Sequence, residues 1–461
     1  MSASGKAPVC VLGGGPAGAV AAARLAELGH EVILLHAARR QRHARAESLA
    51  PSVPPLLASV GLEEAAHAAT IPGSGRSLVL WEGEEERRDG SPTIDRDRFD
   101  QALRAAARDA GAVVVAPARG RAIRRHDGRG WQVELRRPRS RALLETGFLV
   151  DARGRRPGIG AVAAPPTVAL TGHWPREEAL GPETRIEALE EGWLWGTVRA
   201  DGGCSTTAFL DPARVAGLPT AARCRLLRRL LAASRLLSGI ADLAAEPALE
   251  MRDATPRLAA DLAGPDFIRV GEAALASDPL CAQGVRAAVQ SALQAAAVIH
   301  TILSRPADAG LAVGFYGERQ RRSASLGRGN AARLYAAAAQ RHGTGFWSCR
   351  AAGAEPTAAP PAAPRVPLRI APAPALRILE VPVIQGGCWI ERARAVSHPA
   401  LPEPVFCLGS TPLAPLLDAV RHGLGTERLL DLWSQRVSPA IARQILHWML
   451  GSGLLVAAPA A

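Results

Sequence analysis

One lysine, Lys6, serves the whole 461-residue chain, and every other basic residue is arginine. With abundant alanine, this reads as a compositional bias. The formal charge of +12 is spread along the chain. No basic helix with interleaved aromatics stands out, so nucleic acid is not an expected partner. The seven cysteines are scattered and no C-x-x-C occurs. Neither a zinc site nor a disulfide framework is expected, and metal is excluded from the candidate chemistry. No apolar run is long enough to span a bilayer. The first apolar stretch runs straight into glycines, which is not a signal-peptide layout. These absences point to a reducing, cytoplasmic setting with no membrane partner. The length suits two or three domains.

What is present begins at Val9-Cys10-Val11-Leu12, a short apolar run followed by Gly13-Gly14-Gly15-Pro16-Ala17-Gly18. A strand, glycines spaced G-x-G-x-x-G, and the alanine-rich helix from Ala19 to Leu28 make a βαβ opening with Val32–Leu35. Gly13 permits the tight turn, Gly15 lets backbone approach a pyrophosphate, and Gly18 lets the helix sit close to the strand. Free N–H groups at Ala17 and beyond, with the positive end of the helix dipole, then meet the phosphates. The position that usually offers a carboxylate to the ribose holds His36, followed by Arg39 and Arg40. That weakens an NAD reading. His36 is either a ribose partner through a ring nitrogen or a surface-loop histidine.

Along the chain, an apolar helix is expected from Val53 to Leu62, a β-rich stretch from Ser77 to Glu82, and a long helix from Phe99 to Asp109. Val113–Val115 reads as a buried strand, and Trp131–Leu135 alternates as a half-exposed one. Gly192–Val198 has a strand pattern, Thr220–Leu237 is helical, and an alanine-rich helix ends near Leu303. Helices continue from Phe315 to Gln340. Residues 351–367 form an alanine and proline linker. Beyond it, Leu376–Ile384 and Cys388–Val396 read as paired strands around Gly386-Gly387. Three short helices follow, at Leu413–Val420, Glu427–Trp433 and Pro439–Leu450, the last with Ser438 as N-cap. The expected architecture is α/β. A discontinuous Rossmann-like dinucleotide-binding domain (1–75, 96–164 and 256–310) is interleaved with a β-rich substrate domain (76–95 and 165–255). A helical extension (311–350), the linker and a winged-helix-like unit (368–461) complete the chain.

Four separated motifs share one order: Gly13–Gly18; Arg45-Ala46-Glu47-Ser48-Leu49; Asp151-Ala152-Arg153-Gly154-Arg155; and Gly271-Glu272 through Asp278-Pro279 to Gln283-Gly284-Val285. Together they resemble the FAD-binding core of the p-hydroxybenzoate-hydroxylase-type flavoproteins. The resemblance, over roughly residues 7–350, is to the branch of tryptophan halogenases, geranylgeranyl reductases and flavoproteins that modify protein tryptophan. It implies that Arg45 reaches the FAD pyrophosphate and that Glu47 and Ser48 lie beside the flavin. It also implies that Glu272, where the family has aspartate, meets the ribityl hydroxyls. Asp278, Gln283, Gly284 and Val285 are expected at the pyrimidine edge, with Asp278 otherwise a helix N-cap. Halogenases of this branch need a lysine between flavin and substrate, and none follows Lys6. Their W-x-W-x-I-P signature is half met by Trp193 and Trp195, followed here by Thr197-Val198. These two tryptophans share one strand face and either line a substrate pocket or belong to the core. Halogenation is therefore disfavoured, leaving oxygen insertion through a C4a-hydroperoxyflavin, with O2 as co-substrate, or a flavin redox step. The reductant, NAD(P)H or a partner reductase, is open. His173, Glu187 and Arg96 are catalytic candidates by location only.

The segment after residue 367 weakly resembles the winged-helix folds that grip leader peptides by strand addition. A flavin enzyme with such an appendage resembles the monooxygenases of tryptophylquinone biogenesis. The implied partners are a polypeptide substrate, held partly by the C-terminal unit, and other maturation enzymes. Alternatives for that unit are a dimerisation module or a DNA-binding winged helix, although Pro439–Leu450 carries only Arg443 and His447. Two further readings stand beside this one: a small-molecule hydroxylase or reductase, and a non-catalytic flavin-binding partner.

Overall fold

A computed structural model describes residues 7–37, 44–124, 130–155, 160–162, 164–176, 181–343, 345–353, 366–420 and 423–458. Lys6, Arg39, Arg40 and most of the alanine and proline linker lie outside that set. Two units are present, Met1–Glu355 and Pro356–Ala461. The first contains both the dinucleotide-type sheet and the β-rich region.

Its founding layer is a five-stranded parallel sheet in the order Phe267–Arg269, Phe148–Asp151, Val9–Leu12, Val32–Leu35, Val113–Val115. Val9–Leu12 lies at its centre and all four of its residues are buried, as a near-continuous apolar run requires in a sheet covered on both faces. Val113–Val115 is an edge strand, and Val113 is 59% exposed. The expectation of a buried strand fails because an apolar triplet carries no record of how many neighbours it has. The helix Pro16–Glu27 follows the glycine turn and packs against the long apolar helix Gly284–Ser304. That second helix is long and apolar enough to cross a membrane, but over half of its most apolar window is buried inside the protein.

The long helix before the edge strand is Arg96–Asp109. It starts three residues earlier than expected because Asp95 caps it, accepting N–H hydrogen bonds from Asp97 and Arg98. The Val53–Leu62 helix ends at Ala58, and a second begins at Glu63. Gly61, at φ +68, breaks them.

A seven-stranded sheet runs Ala248–Asp253, Val168–Arg176, Gly203–Leu210, Gly192–Val198, Thr184–Leu189, Arg76–Leu80, Glu85–Asp89. Alternation divides its central strands. Leu170, Trp174, Leu194, Cys204, Ala208 and Leu210 are buried in one core with Leu227 and Leu231 of the helix Thr220–Ala232. Thr171, His173, Ser205 and Thr207 take the other face. One helix, Ala309–His342, replaces the expected series, and it brings Tyr335 beside Trp347 at the margin of this sheet.

The second unit is α+β. Arg369–Pro372 lies between Leu424–Gly425 and Leu455–Ala457. The hairpin Arg377–Gln385 and Trp389–Ser397 turns at Gly386-Gly387, both with positive φ. Helices Thr426–Ser434 and Pro439–Gly451 close a core of its own around Trp433, whose indole N–H donates to Leu416 O at 2.9 Å. The Ser438 cap forms as expected.

Candidate active site

A cleft of about 1370 Å³ opens above the C-terminal ends of Val9–Leu12 and Val32–Leu35, where parallel sheets place their ligands. Its floor is the glycine turn. Gly13 has φ +112, and a Cβ there would lie 2.3 Å from Ala152 O. Gly18 packs beneath the turn, since a Cβ on it would meet Gly13 O at 1.8 Å; it does not line the cleft. Gly15 is the N-cap of Pro16–Glu27, with no side-chain cap and no acid in the first turn. A Cβ there would meet nothing within 4 Å. The N–H groups of Ala17 and Gly18 are therefore presented without a competing carboxylate, at the positive end of the helix.

Of the residues singled out in the sequence, Gly13, Gly15, Ala17, His36, Arg45, Glu47, Glu272, Gly284, Val285 and Trp195 line this one cleft, as do the catalytic candidates His173 and Arg96. The walls come from the other three motifs and from the polar face of the seven-stranded sheet. Glu272 pairs with Arg155 at 3.0 Å. Arg45 Nη2 lies 2.6 Å from Asp97 and 3.3 Å from Asp100. Arg96 is hydrogen-bonded to Glu47 and, at 2.7 Å, to Asp100. Burial alone would lower the Arg96 pKa, but Glu47 and Asp100 together carry it above its ordinary value. The pKa of His36 falls below the usual imidazole value, through burial and then the Arg104 charge, against an opposing pull from Asp100. His36 thus faces the cleft as a neutral ring at physiological pH.

Other expected residues lie elsewhere. Ser48 Oγ bonds Thr184 Oγ1 at 3.1 Å, behind the cleft wall. Gln283 precedes the helix Gly284–Ser304 and accepts from Arg286 at 3.1 Å. Asp278 caps a short turn by accepting from Leu280 N and turns its carboxylate to Tyr335 Oη, at 3.1 and 3.2 Å. It lines a separate small cavity with Tyr335 and Arg350. Burial pushes its pKa up, against the Leu280 N–H and Tyr335. Of its two readings, the N-cap is the one the geometry provides. Trp193 is core: it stacks on Phe209 at 3.8 Å and meets Trp81 edge-on. Glu187 is buried and accepts from Ser234 Oγ and the N–H groups of Arg235 and Leu236, which makes it structural.

The sequence reading missed Arg104, whose Nη1 donates to Gly14 O at 2.8 Å and braces the turn. The available signal was the i, i+4, i+8 spacing of Arg96, Asp100 and Arg104 on one helix face.

The Arg96 network makes a testable claim. Arg96→Ala leaves Glu47 and Asp100 without their shared cation. Breaking a buried ion pair costs about 3–5 kcal/mol, and the low end applies because the Glu47 side chain is 37% exposed. The expected result is a loss of about 3 kcal/mol in chemical denaturation, together with reduced flavin content. Unchanged stability would show that the network contributes nothing.

The residues fit a flavin dinucleotide. The open Gly15 position admits a pyrophosphate, and cations at Arg45, Arg104 and Arg155 offset its charge. The volume exceeds the roughly 300–1,000 Å³ of an ordinary ligand pocket, enough for a substrate ring as well. A family model described as FAD binding domain matches residues 6–161. A tryptophan 2-halogenase of Chondromyces crocatus is 30% identical over 337 residues, covering 67% of this chain and 64% of that protein. A flavin-dependent halogenase of Metacordyceps chlamydosporia is 27% identical over 353 residues, covering 65% of this chain and 66% of that protein. The chain thus spans just under two thirds of each of these curated relatives. Among solved structures, a peptidyl tryptophan dihydroxylase essential for tryptophylquinone cofactor biogenesis, QhpG, is 32% identical with a TM-score of 0.75. That match covers 97% of this chain and 100% of QhpG. The flavin-dependent halogenase CmlS shares the fold at 18% identity and TM-score 0.74, over 98% of this chain and 96% of its own. FAD is the cofactor of this protein.

Proposed function

The chain belongs to the FAD-dependent monooxygenase and halogenase family, and from that premise we propose that it is a monooxygenase acting on a tryptophan side chain carried by a polypeptide, during maturation of a tryptophylquinone cofactor in the cytoplasm. The carrying observation is the 32% identity with QhpG along 97% of this chain, a span that includes the unit after Pro356. The absence of any lysine after Lys6 supports oxygenation over halogenation.

Reduced flavin supplies the activation of O2 when it is bound. The protein supplies position and environment. The uncapped N-terminus of Pro16–Glu27 would hold the phosphates, and Arg96 locks the strand carrying Glu47 against the helix carrying Asp100. Gly284 and Val285 bring the start of Gly284–Ser304 to the cleft, with no acidic residue in its first turn. A helix start there favours negative charge on a reduced ring. Trp195 and the polar face of the seven-stranded sheet supply the wall on which an indole would lie. In the second unit, Leu455–Ala457 pairs on one side only among the described residues. Its free edge can receive an extended peptide.

The test is mass spectrometry of a tryptophan-bearing partner chain incubated with the FAD-loaded protein, a two-electron reductant and O2. A gain of one or two oxygen atoms on tryptophan is expected. An unchanged mass with reducible flavin would overturn the reading.

A further inference from the structure

Aromatic side chains are scarce in this sequence, at 4% of residues, yet four of its nine tryptophans and one of its two tyrosines gather in one place. Their rings make a continuous series. The ring centroids of Trp193 and Trp81 are 6.2 Å apart, those of Trp81 and Trp347 5.4 Å, and those of Trp347 and Tyr335 5.9 Å. All three spacings are in the contact range of aromatic pairs, and all four side chains are buried. The series has two ends. At the inner end Trp195, two residues from Trp193 on the same strand face, packs against the cluster and lines the cleft. At the outer end the partly exposed His342 stacks on Trp347 at 5.5 Å.

The polar groups along the series are of two kinds. The indole N–H groups of Trp81 and Trp347 donate to backbone carbonyls, of Leu334 at 2.7 Å and of Leu189 at 2.9 Å. An amide carbonyl is too weak a base to take a proton. An indole that loses an electron there keeps its N–H proton and can regain the electron unchanged. Tyr335 differs, because its hydroxyl donates to the Asp278 carboxylate, and a phenol sheds its proton when it loses an electron. Burial holds the Asp278 pKa up, which makes the carboxylate a better base. Asp278 and Tyr335 are 7% and 1% exposed. A polar pair so deeply buried contributes little to stability that two apolar side chains of the same shape would not. Packing alone therefore does not account for it.

We propose that Trp195, Trp193, Trp81, Trp347 and Tyr335 are an electron-transfer path that discharges one-electron oxidants formed in the cleft. The oxidant is a hydroxyl-class oxygen radical, left when O2 is reduced there without a substrate to oxygenate. It takes one electron from Trp195 and becomes hydroxide. Each indole is refilled by the next ring along the path, until Tyr335 gives an electron to Trp347 and its hydroxyl proton to Asp278. The electron deficit then rests on the Tyr335 oxygen, away from the cleft. A thiolate in the solvent returns one electron at the His342 end and becomes a thiyl radical, and Asp278 returns the proton to Tyr335. The path rests on the reading of this protein as an oxygenase, and not on its substrate.

The test is turnover of the FAD holoenzyme with a two-electron reductant and O2 and no polypeptide. Samples are freeze-quenched for electron paramagnetic resonance, and others are digested for peptide mass mapping. Wild-type protein is expected to show a tyrosyl radical whose signal narrows when tyrosine is ring-deuterated. Tyr335→Phe, at unchanged flavin content, should abolish that signal, and Asp278→Asn should abolish it by removing the base. Tyr316, the other tyrosine, donates to the Arg269 carbonyl and serves as the internal control. Trp81→Phe interrupts the path without emptying the core, so oxygen adducts should accumulate on Trp193 and Trp195. No tyrosyl radical in the wild type, a signal that persists in Tyr335→Phe, or an unchanged adduct map in Trp81→Phe would each overturn the path. Because no polypeptide takes part, a radical seen while no partner chain gains oxygen would sink the polypeptide reading and leave the path standing.

Discussion

Gly15→Leu is expected to give a folded but colourless protein. The position has φ −80, which any residue adopts, and a Cβ there meets no atom within 4 Å. The cost to the fold is that of a poorer N-cap, about 1 kcal/mol. The cost to FAD is much larger, because the leucine side chain would occupy the space through which a pyrophosphate reaches the N–H groups of Ala17 and Gly18. At least a 100-fold loss of affinity, about 2.8 kcal/mol, should follow. The visible flavin absorbance of the purified protein and its melting temperature together decide the matter. Gly18→Val is the contrast: a Cβ 1.8 Å from Gly13 O has nowhere to go, so that variant should fail to accumulate as folded protein. Yellow Gly15→Leu protein would mean that the pyrophosphate lies elsewhere.

Gly13, Gly15 and Gly18 were legible because their roles are local: the turn, its strand and its helix are consecutive in the chain. The same holds for Ser438 and for the Gly386-Gly387 hairpin. Pairings across long separations were not. Arg45 meets Asp97 fifty-two residues later, and Arg104 reaches back ninety residues to Gly14. Local composition encodes neither contact, and the shared helix face of Arg96, Asp100 and Arg104 does not say what Arg104 reaches. Asp278 shows the boundary between the two cases. Its motif was recognisable, but the direction of its carboxylate is set by Tyr335, fifty-seven residues away. Trp193 and Trp195 were correctly assigned to one face, and alternation could say no more. Phe209, from the adjacent strand, and Trp81 draw Trp193 into the core, while Trp195 reaches the cleft. His173 was a candidate by location, but its neighbours Ser205 and Glu250 were not legible, since the three sit on three strands and come together only through their register.

Ending the chain at Glu355 should separate cofactor binding from polypeptide recognition. Every described residue lining the cleft lies between Leu12 and Ala288, so flavin content and melting of the first unit should survive. The second unit carries its own core of Ile370, Val396, Leu417, Trp433, Ile445 and Met449. If the unit grips the substrate chain, its loss abolishes a tethered encounter, and tethering raises effective affinity by about 10²–10⁴-fold. kcat/KM for the tryptophan-bearing polypeptide should therefore fall by about 100-fold or more. Equal turnover of the polypeptide by the full-length and shortened proteins would remove the second unit from substrate recognition. The balance would then shift to a free aromatic metabolite, because a cleft that needs no help from Pro356–Ala461 has no structural reason to prefer a ring attached to a chain.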